Sequence, residues 1–99
     1  MSNITIIIPS RLDAQRLPNK PLKLINNKEM ILHVYDSAHR AQIGRVIVAT
    51  PDEKIKNLIQ NYGGEAVMTS DKHETGTDRV FEVFERELKS TSDIIINFQ

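Results

Sequence analysis

Ile4-Thr5-Ile6-Ile7-Ile8, followed by Pro9, is the stretch from which the fold class can be inferred. β-branched residues dominate it, and a nearly continuous apolar run of this length indicates a strand that is covered on both faces. Pro9 lacks the backbone N–H that a central strand needs, so it predicts the end of the strand. Strands covered on both faces are typical of parallel sheets that carry helices on each side.

Three further strands alternate with helices along the chain. Short apolar runs predict strands over residues 45–49, 65–68 and 93–99. Apolar residues three and four apart predict helices over 28–41 and 50–62, and a third that follows Thr77 and runs through Leu88. The residues expected on the apolar faces include Ala41 in the first helix, Ile55, Ile59 and Tyr62 in the second, and Val80, Phe81 and Val83 in the third. Gly44 and the pair Gly63-Gly64 predict the ends of the first two helices, Asp52 is interpreted as an acid at the start of the second, and Met68 as core filling. The order βαβαβαβ predicts an α/β fold, a Rossmann-like parallel sheet with helices on both faces.

The predicted sheet implies where a ligand binds. In open parallel sheets, ligands bind beyond the carboxyl ends of the strands, at the point where the strand order reverses. If the four predicted strands lie in the order 3-2-1-4, that point is beside the loop after the first strand, residues 10–27. This loop contains Arg11, Arg16, Lys20 and Lys23 but no glycine-rich phosphate motif, so side chains would have to hold phosphates.

Charge and composition exclude several function classes. The chain has 13 Lys and Arg against 13 Asp and Glu, which excludes a protein that coats nucleic acid through summed basic charge. It has no Cys, and therefore no disulfide, no Cys-ligated zinc and no thiol nucleophile. No run approaches the ~20 apolar residues of a membrane span, and the N-terminus lacks the features of a signal peptide. We therefore expect a cytoplasmic protein without a nucleic-acid partner.

Several motifs, in order and spread over the whole chain, resemble a known family. They include Ile8-Pro9-Ser10-Arg11, Arg16-Leu17-Pro18-Asn19-Lys20-Pro21-Leu22, Gly63-Gly64-Glu65-Ala66-Val67-Met68-Thr69, His73-Glu74-Thr75-Gly76-Thr77-Asp78-Arg79 and Ile96-Asn97-Phe98-Gln99. Together they resemble the sugar-acid cytidylyltransferases, most closely the 3-deoxy-manno-octulosonate cytidylyltransferases (CMP-Kdo synthetases). The resemblance implies a fold of the nucleotide-diphospho-sugar transferase type. Residues 1–99 would then be its N-terminal nucleotide-binding part, without the C-terminal half.

The resemblance also implies which residues act on the substrate. It assigns Arg11 and Lys20 to catalysis and to the triphosphate, with Arg16 on the same loop. It assigns the segment Thr75-Gly76-Thr77, with Arg79, to the cytosine and its surroundings. The residues implied to contact CTP are Pro9, Ser10, Arg11, Arg16, Lys20, Thr75, Gly76, Thr77, Arg79 and Gln99. Guanidinium groups bind phosphate oxygens in pairs, and short hydroxyls both donate and accept hydrogen bonds.

Each of these assignments has a purely structural alternative. The basic loop after the first strand could be a solvated surface. Thr77, followed by Asp78, could simply cap the helix that starts there, which on sequence alone is the favoured interpretation. Arg79 could form a surface ion pair with Asp78, which would contribute little to stability.

The reaction implied by the resemblance joins CTP and 3-deoxy-manno-octulosonate (Kdo) to give CMP-Kdo and pyrophosphate, for lipopolysaccharide biosynthesis. Mg²⁺ is implied as the cofactor, but its ligand in the family follows the position of Gln99, so we expect no metal ligand in this chain. The sugar-acid pocket and most of a homodimer interface are expected in the later part of the family's chain. The 99 residues alone are therefore expected to be inactive.

Two alternatives stay open at the level of sequence. One is a cytidylyltransferase for another acidic sugar, such as a sialic acid. The other is a non-catalytic nucleotide-binding or interaction module that keeps the same fold. The apolar run at Ile94–Phe98, which has no charge to protect a strand edge, favours part of a larger enzyme over a dedicated module.

Overall fold

The computed structural model describes residues 4–12, 20–42, 44–70, 76–88 and 94–97. In chain order, its elements are β1 (Ile4–Pro9), a short 3-10 helix (Lys20–Leu22), β2 (Leu24–Ile25), β3 (Lys28–Glu29), α1 (Met30–Arg40), β4 (Arg45–Thr50), α2 (Glu53–Asn61), β5 (Ala66–Met68), α3 (Gly76–Val83), a π-helical turn (Phe84–Leu88) and β6 (Ile94–Asn97). The helices and the longer strands follow the predicted alternation, with bounds that shift by a few residues.

Four of the strands form one parallel sheet. Their order is β5-β4-β1-β6, which confirms the predicted 3-2-1-4 arrangement and places β1 in the interior of the described sheet. In the register, Ile7 of β1 lies between Ile47 of β4 and Asn97 of β6. The strand order therefore reverses at β1, and the loop that follows β1 leaves the sheet at the reversal point.

The alternation of side chains along β1 and β4 divides the core into two layers. Ile6, Ile8, Val46 and Val48 face the layer that contains α1 and α2. Ile7, Ile47 and Ala49 face the opposite layer, which contains Val80 and Val83 of α3. Because both faces are covered, the apolar run in β1 needs no polar alternation. The prediction of helices on both faces is confirmed.

A small antiparallel hairpin, β2–β3, lies where the sequence predicted the end of a polar loop and the start of a helix. Asn26 and Asn27 connect its strands, with φ of 53° and 64°. Asparagine tolerates this left-handed region better than other side chains, and two such residues in succession form the turn that suits a two-residue hairpin. Helix α1 therefore begins at Met30 and not at residue 28.

Helix α1 also ends earlier than predicted. It ends at Arg40, and Ala41, which was expected on the apolar face, is exposed. Gly44 is not the helix stop. A Cβ at Gly44 would lie 2.0 Å from the carbonyl oxygen of Ile4, so this position serves the close approach of the β4 entry to β1.

Helix α2 ends at the predicted glycine pair. Gly63 has a φ of 90°, its N–H donates to Gln60 O at 3.1 Å, and the N–H of Gly64 donates to Ile59 O at 2.8 Å. These two bonds form a Schellman motif, which satisfies helix-end carbonyls and favours glycine at the left-handed position. Tyr62, predicted on the buried stripe of this helix, is instead 43% exposed.

Helix α3 begins two residues before the predicted start. It begins at Gly76, so Thr77 lies inside the helix, and the prediction that Thr77 caps it is wrong. Val80 and Val83 are buried as predicted, but Phe81 is 60% exposed, because a position one residue after Val80 lies about 100° around the helix. None of the helices in the described part of the chain is long and apolar enough to cross a membrane.

Candidate functional site

A group of polar side chains lies at the carboxyl edge of the sheet, where the parallel strands β1, β4 and β5 all end. We call it the carboxyl-edge cluster, and it consists of Arg11, Asp52, Thr69, Ser70 and Arg79. Its members come from the loops that follow these strands and from the first turns of α3. The cluster therefore occupies the edge at which ligands bind in this class of sheet.

The loop after β1 is tied to the strand ends beside it. Pro9 is the last residue of β1 and pairs in register with Ala49. The N–H of Ser10 donates to Ala49 O at 2.9 Å, and the N–H of Leu12 donates to Asp52 Oδ2 at 2.7 Å. Arg11 lies between these two bonds and is half-buried. Its main chain is thus held on both sides.

Arg79 is buried in the cluster, with only 2% of its surface exposed. Its Nε donates to Thr69 Oγ1 at 2.9 Å, and its Nη2 makes a longer contact of 3.5 Å with Ser70 O. Arginine is seldom buried unless its donors are satisfied. The alternative in which Arg79 lies on the surface is therefore wrong, and its assignment to CTP stays a prediction.

The electrostatics of Arg79 connect it to the neighbouring strand ends. Burial is the main cause that lowers the pKa of its guanidinium, and the charge of Arg11 lowers this pKa further. The carboxylates of Asp52 and Glu82 act in the opposite direction. The positive charge of Arg11 thus acts on Arg79, and a bound anion near both groups would offset this effect.

Polar residues of α3 and of the π-helical turn that follows it contact the end of β5. The N–H of Ser70 donates to Glu82 Oε1 at 3.0 Å. Glu82 Oε2 accepts from Arg86 Nη1 at 3.0 Å, and Arg86 also donates to Met68 O. These residues follow Arg79 by three and seven positions, so one stripe of the helix lies against residues 68–70. Met68 was predicted as core filling, but it is 37% exposed.

The structure describes only some of the residues predicted to contact CTP. It places Pro9, Ser10, Arg11 and Arg79 at the carboxyl edge. Lys20 begins the 3-10 helix, and Gly76 and Thr77 begin α3, but the side chains of Lys20 and Thr77 are outside the described part. The remaining predicted residues, Arg16, Thr75 and Gln99, lie outside the described residues.

Sequence reasoning missed Asp52, Thr69, Glu82 and Arg86. The sequence interpretation of Asp52 was only that of an acid at the start of α2. Its position two residues after β4 already predicts that it lies at the carboxyl edge. The spacing of Arg79, Glu82 and Arg86 is a polar stripe at helical period, which is also typical of a solvated face. Burial of Arg79 distinguishes the two, and it is a tertiary property.

The described residues do not offer a metal site. No group of three or more His, Cys, Asp or Glu side chains that could hold a metal occurs among them. In the carboxyl-edge cluster, Asp52 already accepts from the N–H of Leu12, and two guanidinium groups stand close by. A guanidinium group is itself a cation and cannot ligate a metal ion, so the side chains of this cluster do not fit Mg²⁺. The magnesium assignment stays a prediction.

Comparison with known proteins gives a consistent set of matches. The sequence model of a family described as Cytidylyltransferase matches residues 5–99. Over 99 residues, the chain is 46% identical to the 3-deoxy-manno-octulosonate cytidylyltransferase of Actinobacillus succinogenes and 43% identical to that of Pasteurella multocida. In both comparisons, the alignment covers 100% of this chain and 38% of the relative.

A solved structure gives the same result for the fold. The chain is similar to CMP:2-keto-3-deoxy-manno-octonic acid synthetase in complex with CTP, with a TM-score of 0.89 and 45% sequence identity. The match covers 99% of this chain and 40% of that one. The chain thus spans about two fifths of the length of the proteins it matches.

Proposed function

The chain belongs to the cytidylyltransferase family, and we propose that the protein transfers the cytidylyl group of CTP to 3-deoxy-manno-octulosonate and releases pyrophosphate. The observation that carries this proposal is that two arginines lie at the carboxyl edge of the sheet: Arg11 on the loop held at the end of β1, and Arg79, which is buried on Thr69 after β5. Two like charges held together at a ligand-binding edge are suited to a polyanion, and CTP is bound in the similar solved structure.

The chemistry follows from how charge moves in phosphoryl transfer. The anomeric hydroxyl of the sugar attacks the α-phosphorus, the bond to the β-phosphate oxygen breaks, and pyrophosphate leaves with the negative charge. Arg11 and Arg79 offset charge on the phosphates as it develops, and we infer that Lys20 does the same from the other end of the loop. Positioning and charge neutralisation are the main contributions of the protein in this type of reaction.

The cytosine end is assigned by position in the same proposal. We assign the first residues of α3, with Thr75 before them, to the base, which can approach the backbone closely because Gly76 has no side chain. Arg16 and Gln99 are proposed to complete the contacts to CTP. Mg²⁺ and homodimer formation are proposed for the protein as properties of its family. The cytoplasm is proposed as its compartment, with lipopolysaccharide biosynthesis as its role.

Pyrophosphate release from CTP in the presence of Kdo tests the proposal. The assay is run on the full-length protein that contains these residues, and not on residues 1–99 alone, with Kdo and a sialic acid offered as acceptors in parallel. We expect turnover with Kdo. Turnover with the sialic acid alone would replace the sugar assignment, and CTP binding without any turnover would favour a non-catalytic module.

Single substitutions test the residues. Arg11→Ala or Lys20→Ala removes one charged contact each, and we expect each to reduce kcat/KM for CTP by about 1–3 kcal/mol, roughly 5- to 150-fold. Arg40→Ala is the matched control, because Arg40 is exposed in the last turn of α1 and is not part of the cluster. Unchanged kinetics for Arg11→Ala would remove it from the site.

A further inference from the structure

Asp52 occupies the N-cap position of α2 without capping this helix. Its carbonyl oxygen accepts from the N–H of Lys56 at 3.1 Å, which is the first bond of the helix. Its side chain, however, makes no capping hydrogen bond. An aspartate at this position ordinarily accepts from a free N–H of the first turn and stabilises the helix by about 0.5–2 kcal/mol. In this protein, the carboxylate does not fill that role.

The carboxylate of Asp52 instead reaches across the sheet edge to the loop after β1. Its Oδ2 accepts from the N–H of Leu12 at 2.7 Å, although the two residues are 40 positions apart in sequence. The N–H of Asp52 donates to Thr50 Oγ1 at 3.0 Å, and Thr50 is fully buried at the end of β4. The carboxylate is therefore supported by a rigid part of the core.

Leu12 is held at two points. Its side chain packs against the core layer that contains α1 and α2, and its N–H is bound by Asp52. Arg11 directly precedes it, and the N–H of Ser10 before that is bound to Ala49 O. Three consecutive residues thus have a fixed path at the point where the chain leaves the sheet, and the middle one carries the guanidinium.

We propose that Asp52 is a positioning residue, which holds the Leu12 amide so that Arg11 is fixed for the triphosphate before CTP binds. This inference rests on the proposed function for the role of Arg11. Fixing the loop in the unliganded protein removes the ordering cost from the binding step, so its effect appears in the affinity for CTP.

Because Asp52 is negatively charged, the proposal predicts the direction in which CTP affinity changes in each variant. A carboxylate beside a triphosphate site repels the ligand, so simple removal of the charge should strengthen CTP binding. Loss of the Leu12 hydrogen bond should weaken it. Asp52→Asn removes the charge but keeps an oxygen that can accept from Leu12. Asp52→Ser removes both, while serine remains a good N-cap for α2.

The experiment measures KM for CTP and kcat for pyrophosphate release in the two variants. We expect Asp52→Ser to raise KM by roughly tenfold, the effect of losing one charge-assisted hydrogen bond, with a much smaller change in kcat. Asp52→Asn should stay near the wild-type KM or below it. Glu53→Gln is the control, because it removes an exposed acid of the same helix turn. Equal losses in both Asp52 variants, or no loss in Asp52→Ser, would overturn the proposal.

Amide hydrogen exchange gives a second measurement that does not depend on activity. In the unliganded wild-type protein, the N–H of Leu12 should be protected to a degree similar to that of Ser10, and Asp52→Ser should abolish the protection of Leu12 alone. Rapid exchange at Leu12 in the wild type would overturn the proposal. If Leu12 is protected as expected but the protein does not use CTP, the proposed function is wrong, while the conclusion that Asp52 fixes the loop after β1 remains valid.

Discussion

Replacement of Thr69 by valine tests whether the buried guanidinium of Arg79 depends on a single hydroxyl. Thr69 is 9% exposed, and its Oγ1 accepts from Arg79 Nε at 2.9 Å. Valine has nearly the same shape, so Thr69→Val removes the acceptor without opening a cavity. The main-chain bond from the N–H of Thr69 to Thr50 O is unaffected. The variant therefore isolates one hydrogen bond.

The expected magnitude follows from the state in which Arg79 is left. An unsatisfied hydrogen bond to a buried charged group costs about 1.5–3 kcal/mol. The methyl group that replaces the hydroxyl returns up to about 0.8 kcal/mol through apolar burial. We therefore expect the free energy of unfolding to fall by about 1–2 kcal/mol.

The matched control is Thr69→Ser, which keeps the oxygen and removes the methyl group. It should cost no more than about 0.8 kcal/mol and leave Arg79 bonded. Urea unfolding measures the two variants against the wild type, with equal m-values as the condition for comparing them. KM for CTP is measured in parallel. It should rise in Thr69→Val, in which Arg79 is free to shift, and stay unchanged in Thr69→Ser.

Two results would refute this reasoning. If Thr69→Val is at least as stable as Thr69→Ser, the hydroxyl does not satisfy Arg79. If Thr69→Val is destabilised but KM for CTP is unchanged, Arg79 is a structural residue of the β5–α3 contact and does not take part in binding the substrate.

Two further predictions concern stability. Gly44→Ala would place a Cβ 2.0 Å from the carbonyl oxygen of Ile4, so it should cost about 1–3 kcal/mol by urea unfolding, and unchanged stability would contradict the close approach of the two strands. The bond from Lys28, with that from Tyr62, lowers the pKa of the Asp36 carboxyl. The stability that these hydrogen bonds add is present at pH values above the ordinary carboxyl pKa. It is lost as the pH falls through the lowered pKa of Asp36 in the folded protein. Asp36→Asn should therefore reduce the acid sensitivity of unfolding below about pH 4, and an unchanged pH profile would contradict the pairing.

The fold was largely predictable because it depends on patterns of local sequence. The β-branched run of β1, the helical spacing of Ile55 and Ile59, and the glycine pair after α2 all gave the correct elements. The hairpin at residues 24–29 was missed because two strands of two residues each are too short to show a period. Asn26-Asn27 was its only local signal, and the positive φ that both residues adopt follows from the pairing of the strands.

The position of the candidate site was predictable in part. Motifs singled out Arg11 and Arg79 as candidates, and the strand order places the loop of Arg11 at the reversal point. The alternatives for Arg79 and Thr77 could not be decided from sequence, because an arginine beside an aspartate has the same pattern whether it is exposed or buried. Phe81 and Tyr62 show the same limit, since apolar spacing does not show which side of the stripe a neighbouring helix covers.

By itself, the sequence determined the alternation of strands and helices, the two-sided burial of β1 and the family to which the chain belongs, because these properties are written in residue type and spacing. Only the tertiary structure decided that Arg79 is buried with its Nε bonded to Thr69, and that the charge of Arg11 lowers the pKa of its guanidinium. The tertiary structure also decided that the Asp52 carboxylate binds the N–H of Leu12 and does not cap α2. These contacts join residues that are 10 to 68 positions apart. Packing of the sheet brings these residues together, and a local sequence pattern cannot predict a contact between residues so far apart in sequence.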